Sequence, residues 1–243
     1  MQATVPYKVL IDEVMAGVRV PTQANRLVLD IVLVIGFALF VAVCAQIAVR
    51  IPTTTVPITG QTFGVLLTGG VLGSKRGGLS MIVYALLGMA AAPVFAPNSA
   101  LLVGKTVHFI LPWSGTSGFI WDMSSGGYIV GFILGAYLVG VLSERGWDRR
   151  SKVPLEMLVG NIGIYALGLP WLAIFIASGA VISGTDLTYY NAIVGGDVLD
   201  KTLKGGLYPF IGGDALKLLL AALTLPGSWA VMNWLRGNRS QHR

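Results

Sequence analysis

The sequence predicts an all-α integral membrane protein: six transmembrane helices in a bundle, both termini cytoplasmic, with long outer loops 3 and 5. Three observations predict it. Of 243 residues, 54% are hydrophobic and only 12% charged, whereas a soluble domain carries about 25% charged residues. Mean hydropathy is +0.74, and the apolar residues fall in runs long enough for a bilayer instead of at half-buried helix or strand spacing. The basic residues gather on one side of those runs.

Residues 1–26 open "MQATVPYKVLIDEVMAGVRV", which mixes charges of both signs and lacks the unbroken apolar core of a signal peptide. They read as a cytoplasmic amphipathic lead-in to a membrane domain over 27–236. The first span, 27–49, is long enough to cross at about 1.5 Å per residue. The second, 58–72, reaches only about 22 Å at that rise. It is expected to start below the outer surface, with "RIPTTTVP" (50–57) dipping in beside it. The third is 77–95, with Pro93 near its outer end, and the fourth is 127–142. The fifth, 154–181, is expected to bend at Pro170, which removes an amide donor and crowds the preceding turn. The sixth, 210–235, carries Pro226 as an expected kink, and 237–243 form a basic cytoplasmic tail.

An even count puts both termini on one side. With them inside, the cytoplasmic set is Lys8, Arg19, Arg26, Lys75, Arg76, Arg145, Arg149, Arg150, Lys152, Arg236, Arg239 and Arg243. Arg50, Lys105, Lys201 and Lys204 are outside, and Lys217 lies within a span. Twelve against four on the loops is a positive-inside signal. The same clustering accounts for the net charge of +6 and the pI near 9.6 without a nucleic-acid partner. The expected setting is a cell membrane, with membrane lipid as surroundings.

Two outer connections are long, 96–126 and 182–207, and neither shows obvious secondary structure. Long loops of that kind are usually functional or disordered. The first carries Phe109, Trp113, Phe119 and Trp121, with Phe95 just before it; it fits either an interfacial aromatic belt or a lid over an outward-facing pocket.

Several chemistries are excluded. "GVLGSKRGG" lacks the G-x4-G-K-[ST] spacing that wraps phosphates, so the chain is not expected to hydrolyse ATP. His108 and His242 lie far apart in predicted loop and tail, which argues against a histidine metal site. Cys44 is the only cysteine, so no internal disulfide forms. Neither G-x-S-x-G nor a Ser/His/Asp set appears. The expectation is a protein that is not an enzyme and has no catalytic residue, metal or cofactor.

The candidate site starts from "GGDALKLLLAALTLPG", where Asp214 and Lys217 stand three apart at the head of an apolar helix. A charge near the bilayer centre costs roughly 2.5–3.5 kcal/mol on insertion scales, and positions i and i+3 share a helix face. The pair could be a structural ion pair or a ligand site. In the second case the lysine neutralises a carboxylate and the aspartate accepts from N–H groups. Thr59, Gln61 and Thr62 at the second span, Asn98 after the third and Tyr165 in the fifth stand at a similar depth, enough for a polar pocket.

At these residues the chain resembles the biotin-specific substrate-binding (S) component of energy-coupling factor (ECF) transporters, the BioY family. The stretches that carry the resemblance are "VPITGQTFGVLLTGGVLGSKRGG", "YALLGMAAAPVFA", "SGGYIVGFILGAYLVG", "IYALGLPWL" and "LYPFIGGDALKLLLAALTLPG". The resemblance implies a six-helix protein that captures biotin from outside and works with a separate transmembrane coupling subunit and two ATPase subunits. It also implies that Asp214 and Lys217 hold the ligand. Biotin offers ureido N–H groups and a tail carboxylate, so Lys217 is matched to the carboxylate and Asp214, with Asn98, to the ureido group. The chain departs from the family pattern over "ALLVGKTVHFILPWSGTSGFIW" and in "DMSSGGY".

A docking face for the coupling subunit is expected on the first helix, where Ala38 and Ala42 stand four apart. Gly131 and Gly135 offer the same spacing on the fourth. Two other readings stay open: the same architecture for another vitamin or small carboxylate, and an ion-coupled secondary transporter with Asp214 and Lys217 as a relay.

Overall fold

The computed structural model describes residues 8–16, 23–49, 54–97, 107–149, 151–182 and 186–241, with side chains as far as 234. A short helix α1 (Leu10–Met15) precedes α2 (Gln23–Gln46), β1 (Ala48–Val49) and β2 (Ile58–Thr59). Helices α3 (Gln61–Leu72) and α4 (Ser74–Met89) follow, then β3 (Val107–His108), α5 (Gly126–Ser143) and α6 (Val153–Ala177). The chain ends with α7 (Tyr189–Ala192), α8 (Val198–Gly206) and α9 (Tyr208–Gln241). Four stretches are long and apolar enough to cross a membrane: Gln23–Gln46, Gly126–Ser143, Val153–Ala177 and Val198–Trp234.

The apolar runs form helices because their backbone polar groups must be satisfied within the segment where no water is available. The outward face of α2 shows what surrounds it: Leu27, Val28, Ile31, Val32, Ile35, Leu39 and Val43 are all exposed. A continuous apolar stripe of this kind fits lipid, not water. Its opposite face enters a core made with Val65, Leu66, Met81, Tyr84, Ile129, Phe132, Ala136, Met157, Ile164, Ala221 and Leu225.

Close helix contacts are bought with glycine. At Gly131 of α5 an added Cβ would come within 2.5 Å of the Ile164 carbonyl on α6. Gly69 of α3 lies equally tight against α5, 2.4 Å from the Ala136 carbonyl by the same measure. Between α3 and α4 a single residue, Gly73, turns the chain with φ +83°, a value that glycine adopts at little cost. The Glu144 carboxylate then accepts 2.8 Å bonds from the Ser74 backbone N–H and from its hydroxyl. A negative group suits the unpaired N–H groups of a helix start.

The helices differ from the sequence expectations at their ends. The first stops at Gln46, short of Val49, and the second begins at Gln61, because Ala48–Val49 and Ile58–Thr59 are strands. The third helix ends at Met89, before Phe95. With β3 these strands make a three-stranded antiparallel sheet in the order β2-β1-β3, so the protein is not purely α. The fifth helix runs unbroken through Pro170, and the sixth through Pro226 to Gln241, into the stretch read as tail.

The two long connections are also more structured than expected. Residues 107–126 hold β3 and a 3-10 turn at Ile120–Asp122, and Phe95 pairs with Thr116 in a bridge. Phe95 itself is buried against Tyr84, while Phe109, Trp113, Phe119 and Trp121 are exposed. In the other connection, Asp197 caps α8 by accepting from the Asp200 N–H at 2.7 Å, and Asp200 reaches back to the Gly196 N–H at 2.9 Å.

Ala38 and Ala42 are fully buried in the chain's own core. The small-residue stripe of the first helix therefore packs inward, where it lets α2 approach its neighbours. It is not a surface open to a partner. Gly131 and Gly135 are likewise taken up by α6.

Candidate ligand-binding site

Asp214 and Lys217 lie in the second and third turns of α9, on one face as the i, i+3 spacing requires, and their side chains meet. Lys217 Nζ is 3.0 Å from Asp214 Oδ1, with side-chain exposures of only 12% and 6%. An ion pair this far from water holds only if the remaining lone pairs are also satisfied. The second carboxylate oxygen, Oδ2, accepts from the Tyr165 hydroxyl at 2.5 Å and from Asn161 Nδ2 at 3.3 Å. Both donors project from α6, one helical turn apart.

Two supports fix Tyr165. Its ring meets Tyr128 of α5 edge-on, centroids 5.8 Å apart. Tyr128 is held by donating its own hydroxyl to the Gly206 carbonyl at 2.8 Å. The neighbouring Gly205 carbonyl accepts from the Thr54 hydroxyl. Thus the last carbonyls of α8, which have no partner within their helix, are satisfied by α5 and by the loop before β2.

Asn161 has a second feature. Its Oδ1 is buried without a hydrogen-bond partner. An unmet buried acceptor costs about 1–3 kcal/mol, so this oxygen is available to an N–H donor brought into the site.

Thr59 and Gln61 form a separate group. The Thr59 hydroxyl donates to Gln61 Oε1 at 2.7 Å, Gln61 Nε2 donates to the Tyr84 hydroxyl at 2.7 Å, and Tyr84 donates to the Val94 carbonyl at 3.1 Å. This relay ties β2, α3, α4 and the segment after α4 together. The neighbouring strand residue, Ile58, faces the opposite way and is the one that meets α9: a Cβ on Gly213 would lie 3.4 Å from its side chain.

Of the residues singled out in the sequence, the structure brings Tyr165, Asp214 and Lys217 into contact. Thr59 and Gln61 bond to each other, and Asn98 lies outside the described residues. Asn161 and Tyr84 were missed. Asn161 stands four residues before Tyr165, on the same helix face, and that spacing was a usable signal. Tyr84 carried none, because an aromatic residue in an apolar helix is ordinarily packing.

Among the described residues no group of three or more metal-ligating side chains converges. The site offers hydrogen-bond acceptors, one phenol and one ammonium, close together and withdrawn from water. That combination is chemically suited to a small polar molecule carrying N–H donors and a negative charge.

Comparison with known proteins gives a consistent result. A family model described as the BioY family matches residues 18–234. The biotin transporter BioY of Thermotoga maritima is 32% identical over 179 residues, 72% of this chain and 82% of that protein. A probable biotin transporter BioY of Pyrococcus horikoshii is 36% identical over 195 residues, 80% of this chain and 92% of that protein. Among solved structures, the S-component for biotin from an ECF-type ABC transporter aligns with a TM-score of 0.58 at 18% identity, over 84% of this chain and 93% of that one; this likeness speaks for the fold. With the family model matched from before α2 to near the end of α9, the chain belongs to the BioY family.

Proposed function

We propose that this chain is the substrate-binding subunit of an ECF-type transporter and captures biotin for uptake, energised by a transmembrane coupling subunit and ATPase subunits that are separate chains. The observation that carries the reading is the convergence of Asn161, Tyr165, Asp214 and Lys217 in a chain whose relatives are named biotin transporters. The ureido N–H groups are donors suited to Asp214 and the open Asn161 oxygen. Lys217 takes the tail carboxylate; its flexible four-carbon stem lets the ammonium leave Asp214 and follow the anion. Thr59 and Gln61 wall the pocket on the β2 side.

The six helices α2, α3, α4, α5, α6 and α9 are its spans, with both termini in the cytoplasm. The distribution of basic residues supports that orientation. Docking to the coupling subunit uses the outward apolar face of the bundle, since Ala38 and Ala42 are buried.

The test is equilibrium biotin binding by purified wild type, Asp214→Asn and Lys217→Met. Tight binding by wild type and at least a tenfold loss in each folded variant, about 1.4 kcal/mol, is the expected result. Wild-type protein that ignores micromolar biotin refutes the assignment.

A further inference from the structure

We infer that the groove between α4 and α5 holds one acyl chain of an anionic membrane phospholipid, whose phosphate is met by Lys75. The groove shares no residue with the Asp214 group. Its volume is about 430 Å³, within the range of about 300–1,000 Å³ that encloses small molecules. Leu79 and Ile82 of α4, Val130, Ile133 and Leu134 of α5, and Leu167 of α6 form its walls. Gly78 opens its floor: an added Cβ there would meet nothing nearer than the Tyr137 Cβ, at 3.9 Å. Leu79, Ile82, Tyr137 and Leu167 are exposed, so the groove lies on the outward face of the bundle. In a membrane protein that face meets lipid chains, not water.

The length of the groove fits a chain from one leaflet. It follows α4 from Ser74, the first residue of the helix, to Ile82, a span of about 12 Å. Half of a hydrocarbon core about 30 Å thick is about 15 Å. A groove of this length, open at a helix end, therefore takes a chain from the nearer leaflet and stops short of the other. In the orientation proposed above, the nearer leaflet is the cytoplasmic one.

The polar lining residues select the headgroup, because Ser74, Lys75 and Tyr137 all stand at one end. The packing of α5 on α4 puts them there: Tyr137 meets Gly78, and a Cβ on Gly140 would lie 2.2 Å from the Ser74 backbone N. Lys75 is exposed and has no ion pair among the described residues. Arg76 beside it has two, with Asp12 at 2.6 Å and Asp30 at 2.9 Å. Glu144, at the same end, is bonded to Ser74. An ammonium without a counter-charge at the mouth of an apolar groove complements a phosphate on an acyl chain. The long stem of Lys75 carries that ammonium to the headgroup level. A zwitterionic lipid brings its own cation and gains less. The exposed Tyr137 hydroxyl adds a donor for a phosphate oxygen.

The experiment is native mass spectrometry of the purified full-length chain in detergent. Phosphatidylglycerol and phosphatidylcholine with identical chains are added together in equal amounts to wild type, Lys75→Gln and Gly78→Leu. Thermal unfolding checks that each variant is folded. The expected first bound lipid of wild type is phosphatidylglycerol, preferred about fivefold. Lys75→Gln should remove that preference, and Gly78→Leu, whose side chain fills the groove, should lose the adduct. An absence of preference in wild type, which is annular lipid only, overturns the inference. So does a preference that survives Lys75→Gln, or an undiminished adduct in Gly78→Leu. A lipid-free wild-type dimer that Gly78→Leu converts to monomer assigns the groove to a second copy and also overturns it. If Gly78→Leu does not fold, glycerol phosphate, a headgroup without chains, tests the groove on wild type. Present in excess it should leave the lipid bound, and displacement of the lipid overturns the inference.

Discussion

Lys217 Nζ and Asp214 Oδ1 lie 3.0 Å apart on one face of α9, so in this state each charge neutralises the other. An incoming carboxylate must compete with Asp214 for the ammonium. The aspartate does not then lose all support, because Tyr165 and Asn161 still donate to its second oxygen. The pair makes two buried charges tolerable, and under the proposed function it is also the group that meets the ligand.

The two roles separate in a mutant cycle. Lys217→Met leaves the buried aspartate without its counter-charge, and removing one member of such a pair costs about 3–5 kcal/mol. The double variant Asp214→Asn/Lys217→Met has no charge to strand and recovers most of that stability. It does not recover biotin binding. Thermal unfolding in detergent and equilibrium binding on the same samples check both halves.

Tyr165→Phe deletes one hydrogen bond to a charged group, worth about 1.5–3 kcal/mol. The edge-on contact with Tyr128 remains. The expected outcome is a modest fall in unfolding temperature and a loss of at least about fivefold in biotin affinity. Unchanged affinity would remove Tyr165 from the site.

Asp148 gives a pH dependence. It lies in the 3-10 turn between α5 and α6, fully buried, accepting from Trp229 Nε1 at 2.7 Å. Burial raises its pKa, more than Trp229 and Arg149 lower it. A raised folded value means the folded protein holds the proton more tightly than the unfolded chain. Stability therefore falls as pH rises from the ordinary carboxylate range, about 3.9, through the elevated folded value. Asp148→Asn keeps an acceptor for Trp229 and removes the charge. It should unfold at a higher temperature than wild type at pH 7, and the difference should shrink as the pH falls toward 4.

Two glycines predict opposite signs. Gly69→Ala drives a Cβ to 2.4 Å from the Ala136 carbonyl, an overpacking cost of about 1–3 kcal/mol. At Gly36, on the outward face of α2, nothing lies within 4 Å of an added Cβ. There Gly36→Ala should stabilise the helix by about 0.5–1 kcal/mol. Unfolding midpoints of the two variants decide it.

Asp214 and Lys217 were legible in the sequence because charge inside an apolar run is costly enough to demand a reason. The helices were legible for the same thermodynamic reason, although their ends were not. Two-residue strands such as Ala48–Val49 are too short for any alternation to register. Helix α8 did carry a signal, Asp197 followed by Asp200 at the spacing of a capping pair, within a loop read as unstructured. The Ala38–Ala42 spacing reads the same whether the neighbour is inside the chain or outside it, and only burial separates the two. Asn161 is one amide in a long apolar helix, and its role depends on a partner 53 positions away.

The fastening of α8 has a mechanical consequence. Its last two carbonyls are gripped from different directions, Gly205 by Thr54 and Gly206 by Tyr128, and the next residue but one begins the helix that carries Asp214. A displacement of Thr54 must therefore either break its bond to Gly205 or drag the head of α9, and Asp214 with it, along.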